Sequence, residues 1–359
     1  MGMSRIIVKG AGAVSPAGWG AAALTNALER GTPLPIEGLA GPAPGRPLRV
    51  RRVPVANPKP AFTAHPRLRR TSPIGQFAVA AALEAIGPEP GRLTENGARL
   101  GIVYCSMAGC VNFSRRFYDE TLKNPSTASP VIFPETVFNS PASHLGALLG
   151  TQAIDYTLVG DPGTFLQGVA LAAGWLDSGR VDNCLVIGAE ELDWLVANAA
   201  EMFHSESIVG EGAGALLLCG SANGCGIELQ AVTSSYPFSS KLQRAAAAIK
   251  ARDEARPDVQ NTLLCDSTQA VARLDSDEIA AWSDWPGPRI SPKRICGESF
   301  MAAAAWQCVA AVQAVASGRF ASAQVSVVGC NQQAIAARFG KQNSDEGRGT
   351  RDEGSARVD

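Results

Sequence analysis

Three runs, RLGIVYCSMAG (residues 99–109), NCLVIGAEEL (183–192) and GAGALLLCG (212–220), carry apolar residues side by side rather than on alternate positions. A strand written this way is buried on both faces, as happens in a sheet covered by helices on each side. Between such runs stand helical patterns. SPIGQFAVAAALEAI (72–86) begins with serine at the N-cap and proline at the first helical position. A helix over 162–178 places Phe165, Leu166, Val169, Ala173 and Leu176 on one face. After residue 225 the alternation resumes: GIELQAVTSS, the helix KLQRAAAAIKARDEA, NTLLCD, a helix begun by DSDEIAAWSDW, the small-residue helix GESFMAAAAWQCVAAVQAVASG, and the pair AQVSVVGCN and QAIAARF. Strand–helix alternation in both halves predicts a layered α/β architecture with largely parallel sheets. With 359 residues, two similar units are expected.

The bulk properties exclude several classes. Hydrophobic residues make up 46% and charged residues 18%, at a net charge of −1. This suits a well-buried globular chain and offers no basic surface for nucleic acid. The N-terminal apolar run is too short for a signal peptide, and no stretch reaches the about 20 apolar residues of a membrane span. A cytoplasmic location is expected. The nine cysteines are scattered through apolar segments, which fits a reducing compartment. Only three histidines occur, His65, His144 and His204, and none adjoins Cys105 or Cys110, so no metal site is expected. No cofactor is expected either. GAGAVSPAG (10–18) fails the dinucleotide fingerprint in spacing, Pro16 interrupts the required helix, and the segment reads as a glycine-rich loop. Residues 32–62, rich in Pro, Gly and Arg, read as a surface excursion, and 341–359 as a disordered tail.

In order along the chain, GAGAVSPAG, NSPASHLGALLG, VIGAEE, IVGEGAGALLL and SPKRICGESFMAAAAWQ resemble successive elements of the β-ketoacyl synthases. The resemblance spans about residues 4–340. It implies the thiolase-like fold, five αβαβα layers made of two similar halves, here taken as 1–225 and 226–340. The family condenses acyl chains on acyl carrier protein with one cysteine and two histidines. Its cysteine opens a buried helix, where the dipole favours the thiolate. Its histidines place hydrogen-bond donors where negative charge develops.

Carried over by position, the cysteine falls on Pro162 in GDPGTFLQG, with Asp161 and Gly163 as the neighbouring alternatives. The first histidine falls near Ser267, ahead of Asp275 and Glu278, and the second falls on Glu298. All three are replaced. Asp161 reads as the N-cap and Pro162 as the first residue of the helix. Glu211 in Gly-Glu-Gly-Ala-Gly and Lys293 keep the family's places, and the resemblance implies a buried ion pair between them.

Three functions are consistent with this pattern. The first is a non-catalytic ketosynthase-like subunit of the chain-length-factor type, paired with an active ketosynthase as a heterodimer, or with itself. AIDYTLVG (153–160) would lie at the interface and Phe138 near the tunnel it shapes. The second is an acyltransferase of altered chemistry, with Cys105 or Cys110 as nucleophile or Glu298 as base. Both cysteines lack the histidine partner such a nucleophile needs, while the turn before Cys110 leaves room for it to be exposed. The third is a structural homodimer or docking module in which Arg67, Arg69 and Arg70 of HPRLRR meet an acidic carrier protein.

Overall fold

The computed structural model describes residues 5–42, 45–93, 95–220, 226–256 and 259–341. The segment 342–359, read above as a disordered tail, lies outside the described residues; Lys341 ends a strand.

The apolar runs form strands as their burial requires. The first five are β1 (Ile6–Ser15), β2 (Leu100–Ser106), β3 (Ile154–Val159), β4 (Asn183–Glu190) and β5 (Gly212–Gly220). The next five are β6 (Ile227–Val232), β7 (Thr262–Cys265), β8 (Arg289–Ile290), β9 (Ser322–Val328) and β10 (Gln333–Lys341). Their spatial order is β3-β2-β4-β5-β1 followed by β6-β10-β9-β7-β8. Each set of five therefore has the same order, third-second-fourth-fifth-first, and the two meet where β1 runs antiparallel to β6. In both sets the first four strands are mutually parallel and the fifth is antiparallel to its neighbours. The expected parallel sheet is thus a mixed one.

Ten helices are described: α1 (Ala21–Arg30), α2 (Pro73–Ile86), α3 (Val111–Lys123), α4 (Ser140–Leu149), α5 (Thr164–Asp177), α6 (Trp194–Phe203), α7 (Lys241–Ala255), α8 (Ala272–Ala281), α9 (Pro292–Cys296) and α10 (Phe300–Ala316). Helices α5 and α10 occupy equivalent places, each between the third and fourth strands of its set. They form the middle layer, where one apolar cluster joins them to both sets of strands. A second cluster packs α2 and α4 on the outer face of β1–β5, and a third packs α7 and α8 on the outer face of the other set. The result is the five-layer αβαβα arrangement. Helix α10 is apolar around its circumference because protein surrounds it on all sides. Gly188 on β4 and Gly214 on β5 let it approach: a Cβ there would stand 2.5 Å from the Met301 carbonyl oxygen and 2.7 Å from Ala305 Cβ.

Two local expectations change. GAGAVS is the continuation of β1 rather than a loop, and its glycines serve packing. A Cβ on Gly10 or Gly12 would lie 2.0 or 2.1 Å from carbonyl oxygens of α2, which crosses directly over this strand. Ser72 stands at the N-cap of α2, but its hydroxyl donates to the Glu191 carboxylate. Glu191 itself accepts the Ile74 amide at 3.1 Å and so does the capping from a distant strand end.

Candidate functional site

In α/β sheets, groups placed just beyond the carboxyl ends of parallel strands converge on shared crevices. Such a crevice is present here, a cavity of about 390 Å³. Met107 and Ala108 follow β2, Ser267 follows β7, Val328 ends β9 and Cys330 follows it. Helix α6 supplies a wall, and Lys293, Glu298 and Phe300 enter from α9 and the start of α10. A larger groove, about 850 Å³, lies elsewhere on the surface between Arg67, Arg70, Arg116 and Glu135. The smaller cavity is the one that two of the carried-over positions, Ser267 and Glu298, line together with Lys293.

Pro162 is buried and does not border the cavity. Helix α5 begins at Thr164, two residues later than the sequence suggests, because Asp161 and Pro162 belong to a tight turn whose carbonyls accept from Thr164 and Phe165. The N-cap is Gly163 rather than Asp161, and the Asp161 carboxylate instead closes the turn by accepting the Gly163 amide at 3.1 Å. It also accepts the backbone amides of Gln332 and Gln333 at 3.3 Å and the Gln333 side-chain amide at 3.1 Å. The turn is thereby bolted to the β9–β10 loop, and nothing at 161–163 can act as a thiol nucleophile.

Ser267 is buried with its hydroxyl fully used, donating to the Ser326 carbonyl at 2.9 Å and accepting the Val328 amide at 3.0 Å. Its own amide is held by Glu278 at 3.1 Å. Burial, with Asp266 nearby, pushes the Glu278 carboxyl up to about 8. This serine ties two strand ends together.

Glu298 accepts a hydrogen bond from the Lys293 ammonium at 2.7 Å and from the Phe300 amide at 2.8 Å. Both members of this pair are buried. The expected Lys293–Glu211 pair is therefore replaced: Lys293 turns to the nearer Glu298, and Glu211 accepts the Leu192 amide at 3.0 Å and the Val53 amide at 3.3 Å. Burial raises the Glu211 carboxyl above its ordinary range. A carboxylate already held by an ammonium and an amide is poorly placed to take a substrate proton.

Phe138 does not line the cavity. It is 38% exposed and packs over Gly109, whose φ of +65° leaves room for the ring and not for a side chain. Cys105 is fully buried, and Cys110 is buried as well rather than exposed on its turn. Burial and nearby glutamates push both thiols well above the ordinary cysteine range, so neither offers a thiolate.

Two cavity residues escaped the sequence reading. Cys330, in the turn between β9 and β10, is the half-buried exception among the described cysteines. Its thiol is pushed up to about 11 by burial, Glu298 and Asp161. His204, at the end of α6, lines the same cavity, so a histidine does reach the neighbourhood of Ser267 from far away in sequence. Burial, Arg273 and Arg244 lower its pKa. The Gly-Cys-Asn turn after a buried strand was the available signal for Cys330; His204 had none.

The family model for 3-oxoacyl-[acyl-carrier-protein] synthase III matches residues 162–236. No curated protein sequence matches the chain significantly. Among solved structures, the ishigamide ketosynthase/chain length factor is similar at TM-score 0.76 and 19% identity, covering 94% of this chain and 100% of that one. A β-ketoacyl synthase from Burkholderia phymatum gives 0.78 and 15%, covering 95% and 100%. A ketosynthase in complex with its chain length factor from Xenorhabdus doucetiae gives 0.78 and 15%, covering 94% and 98%. The chain has the thiolase-like fold, and it is similar to the β-ketoacyl synthases and their chain length factors.

Proposed function

We propose that this chain is a non-catalytic ketosynthase-like subunit of the chain-length-factor type, pairing with an active ketosynthase in type II fatty acid, polyketide or aryl-polyene-like biosynthesis in the cytoplasm. The observation that carries this reading is the state of the three replaced positions. Pro162 lies buried in a bolted turn, Ser267 has its hydroxyl spent on backbone, and Glu298 is locked to Lys293. The second support is β3, an apolar strand at the end of the sheet, where it would extend the sheet into a partner. The division into units 1–225 and 226–340 belongs to this proposal, as does the absence of a cofactor. Among the described residues no helix is long and apolar enough to cross a membrane.

The test is direct. Purified alone and incubated with an acyl thioester, the chain is expected to gain no acyl group and to release no condensation product; co-expressed with a ketosynthase encoded beside it, it should co-purify and set product length. An acyl-enzyme formed by the isolated chain would overturn the reading.

A carrier protein is the third member of the proposed assembly. Arg67, Arg69 and Arg70 are exposed, and Arg67 and Arg70 border the 850 Å³ groove together with Arg116. Reversing Arg67, Arg69 and Arg70 to glutamate is expected to weaken carrier-protein binding by about tenfold or more at low salt and to flatten its salt dependence. Unchanged affinity in a titration calorimetry series would remove the patch from the docking site.

A further inference from the structure

A separate cavity of about 140 Å³ lies where the short strand Leu48–Arg51, the turn at 269–271 and α9 meet. It shares Lys293 and Gln269 with the 390 Å³ cavity and no other lining residue. Arg51 borders it from a fixed backbone. Val50 and Arg51 pair in parallel with Val209 and Gly210, and Ile208 and Gly210 exchange backbone hydrogen bonds with Glu298 at 2.8 and 2.7 Å. Arg51 is only 5% exposed. Its Nε donates to the Leu34 carbonyl at 2.9 Å and its Nη1 to the Arg294 carbonyl at 3.3 Å. Carbonyls satisfy donors but do not cancel a charge. Arginine stays protonated in proteins, and among the described residues no carboxylate lies within ion-pair distance of this one. The titratable group that acts on it is Cys296, whose thiol is pushed up to about 12 by burial and is therefore neutral. A buried cation without a counter-charge is costly, and buried charges are ordinarily paired.

The other polar groups of the lining are committed elsewhere. Lys293 is held by Glu298 at 2.7 Å, and the Gln269 side chain accepts from the Ser207 hydroxyl at 2.7 Å. The backbone amides of Gln269 and Val271 donate to Asp275 at 3.1 and 3.0 Å. Arg294 borders the same cavity, is exposed, and has no ion pair among the described residues. The acid of the lining is Glu206, exposed and likewise without an ion pair among the described residues. We infer that this cavity binds a small oxyanion of phosphate size, held between the Arg51 fork and the Arg294 guanidinium. The planar guanidinium presents paired donors that match two oxygens of such an ion. The space is too small for a drug-sized ligand, so the ion itself is the ligand. It would supply the missing counter-charge and tie α9 to the strand that carries Arg51.

Inorganic phosphate titrated calorimetrically into the intact chain, in a buffer without phosphate or sulfate, is expected to fill a single saturable site. Saturating phosphate should raise the urea midpoint by mass action. Arg294→Gln, a change at an exposed side chain, should weaken binding about tenfold, and Arg51→Lys, which keeps the charge and loses the fork, should do the same. Arg51→Met should abolish binding; where that variant fails to fold, the two milder ones decide. Glu206→Gln removes the nearby acid and should tighten binding about threefold at low salt. No phosphate bound by the folded parent would overturn the inference. So would an affinity unchanged in both Arg294→Gln and Arg51→Lys, which would place the ion elsewhere, as on the exposed Arg67 and Arg70. These titrations contain neither thioester nor ketosynthase, so their failure leaves the proposed pairing role standing.

Discussion

Replacing Lys293 by methionine is expected to destabilise the chain by about 3–5 kcal/mol, because the Glu298 carboxylate is left buried with the Phe300 amide as its remaining partner. Removing both charges together, as Lys293→Met with Glu298→Leu, should recover most of that loss, since buried pairs often do little better than well-packed apolar residues. Urea denaturation of the two variants reads the difference as a shift in midpoint at constant slope. This pair also separates a structural role from a catalytic one. A lysine and glutamate kept for chemistry would lose activity on substitution with little change in stability. A single-variant loss below about 1 kcal/mol would place the pair outside the chain's structural supports. The burial of both side chains, 3% and 9% exposed, is what makes the large effect expected; the same pair at the surface would contribute little.

The second large effect concerns the sheet edge. Strand β3 pairs with β2 on one side and ends the sheet on the other. Tyr156 is 55% exposed and Val159 56%, with Ile154 beside them. An apolar edge strand with unpaired backbone groups is a liability for a chain that stays alone and an asset for one that pairs. Changing Tyr156 and Val159 to lysine should weaken association with the proposed ketosynthase partner, or self-association, by at least about 100-fold, if both act as hot spots of about 2 kcal/mol each. Val159 is mostly exposed and Tyr156 loses only its edge contact with Trp175, so a far-ultraviolet circular dichroism spectrum and urea midpoint close to the parent's are expected for the folded monomer. Analytical ultracentrifugation and co-purification give the measurement. Association unaffected by both lysines would move the interface away from β3.

Much of this architecture was legible before any coordinates. The doubly apolar strands, the small-residue helix 300–316 and the strand–helix alternation all report burial, and burial is written locally, residue by residue. That residues 161–163 carry no thiol was legible for the same reason, since it is a matter of residue identity. Glycines were harder. GAGAVS reads as a loop until α2 is seen lying across it, because a strand glycine chosen for a close crossing and a loop glycine chosen for freedom look alike in one dimension.

What the tertiary structure alone decided were the partnerships. Lys293 pairs with Glu298 and not with Glu211, Glu191 caps a helix that begins at residue 73, and Asp161 holds a loop at 332–333. His204 and Cys330, far apart in sequence, face one cavity. Sequence by itself determined the layers and the buried middle helices, because hydrophobic burial is non-directional and each residue declares it alone. Hydrogen bonds and ion pairs are directional and short in reach, so which charge meets which was settled by how the two sets of strands pack together.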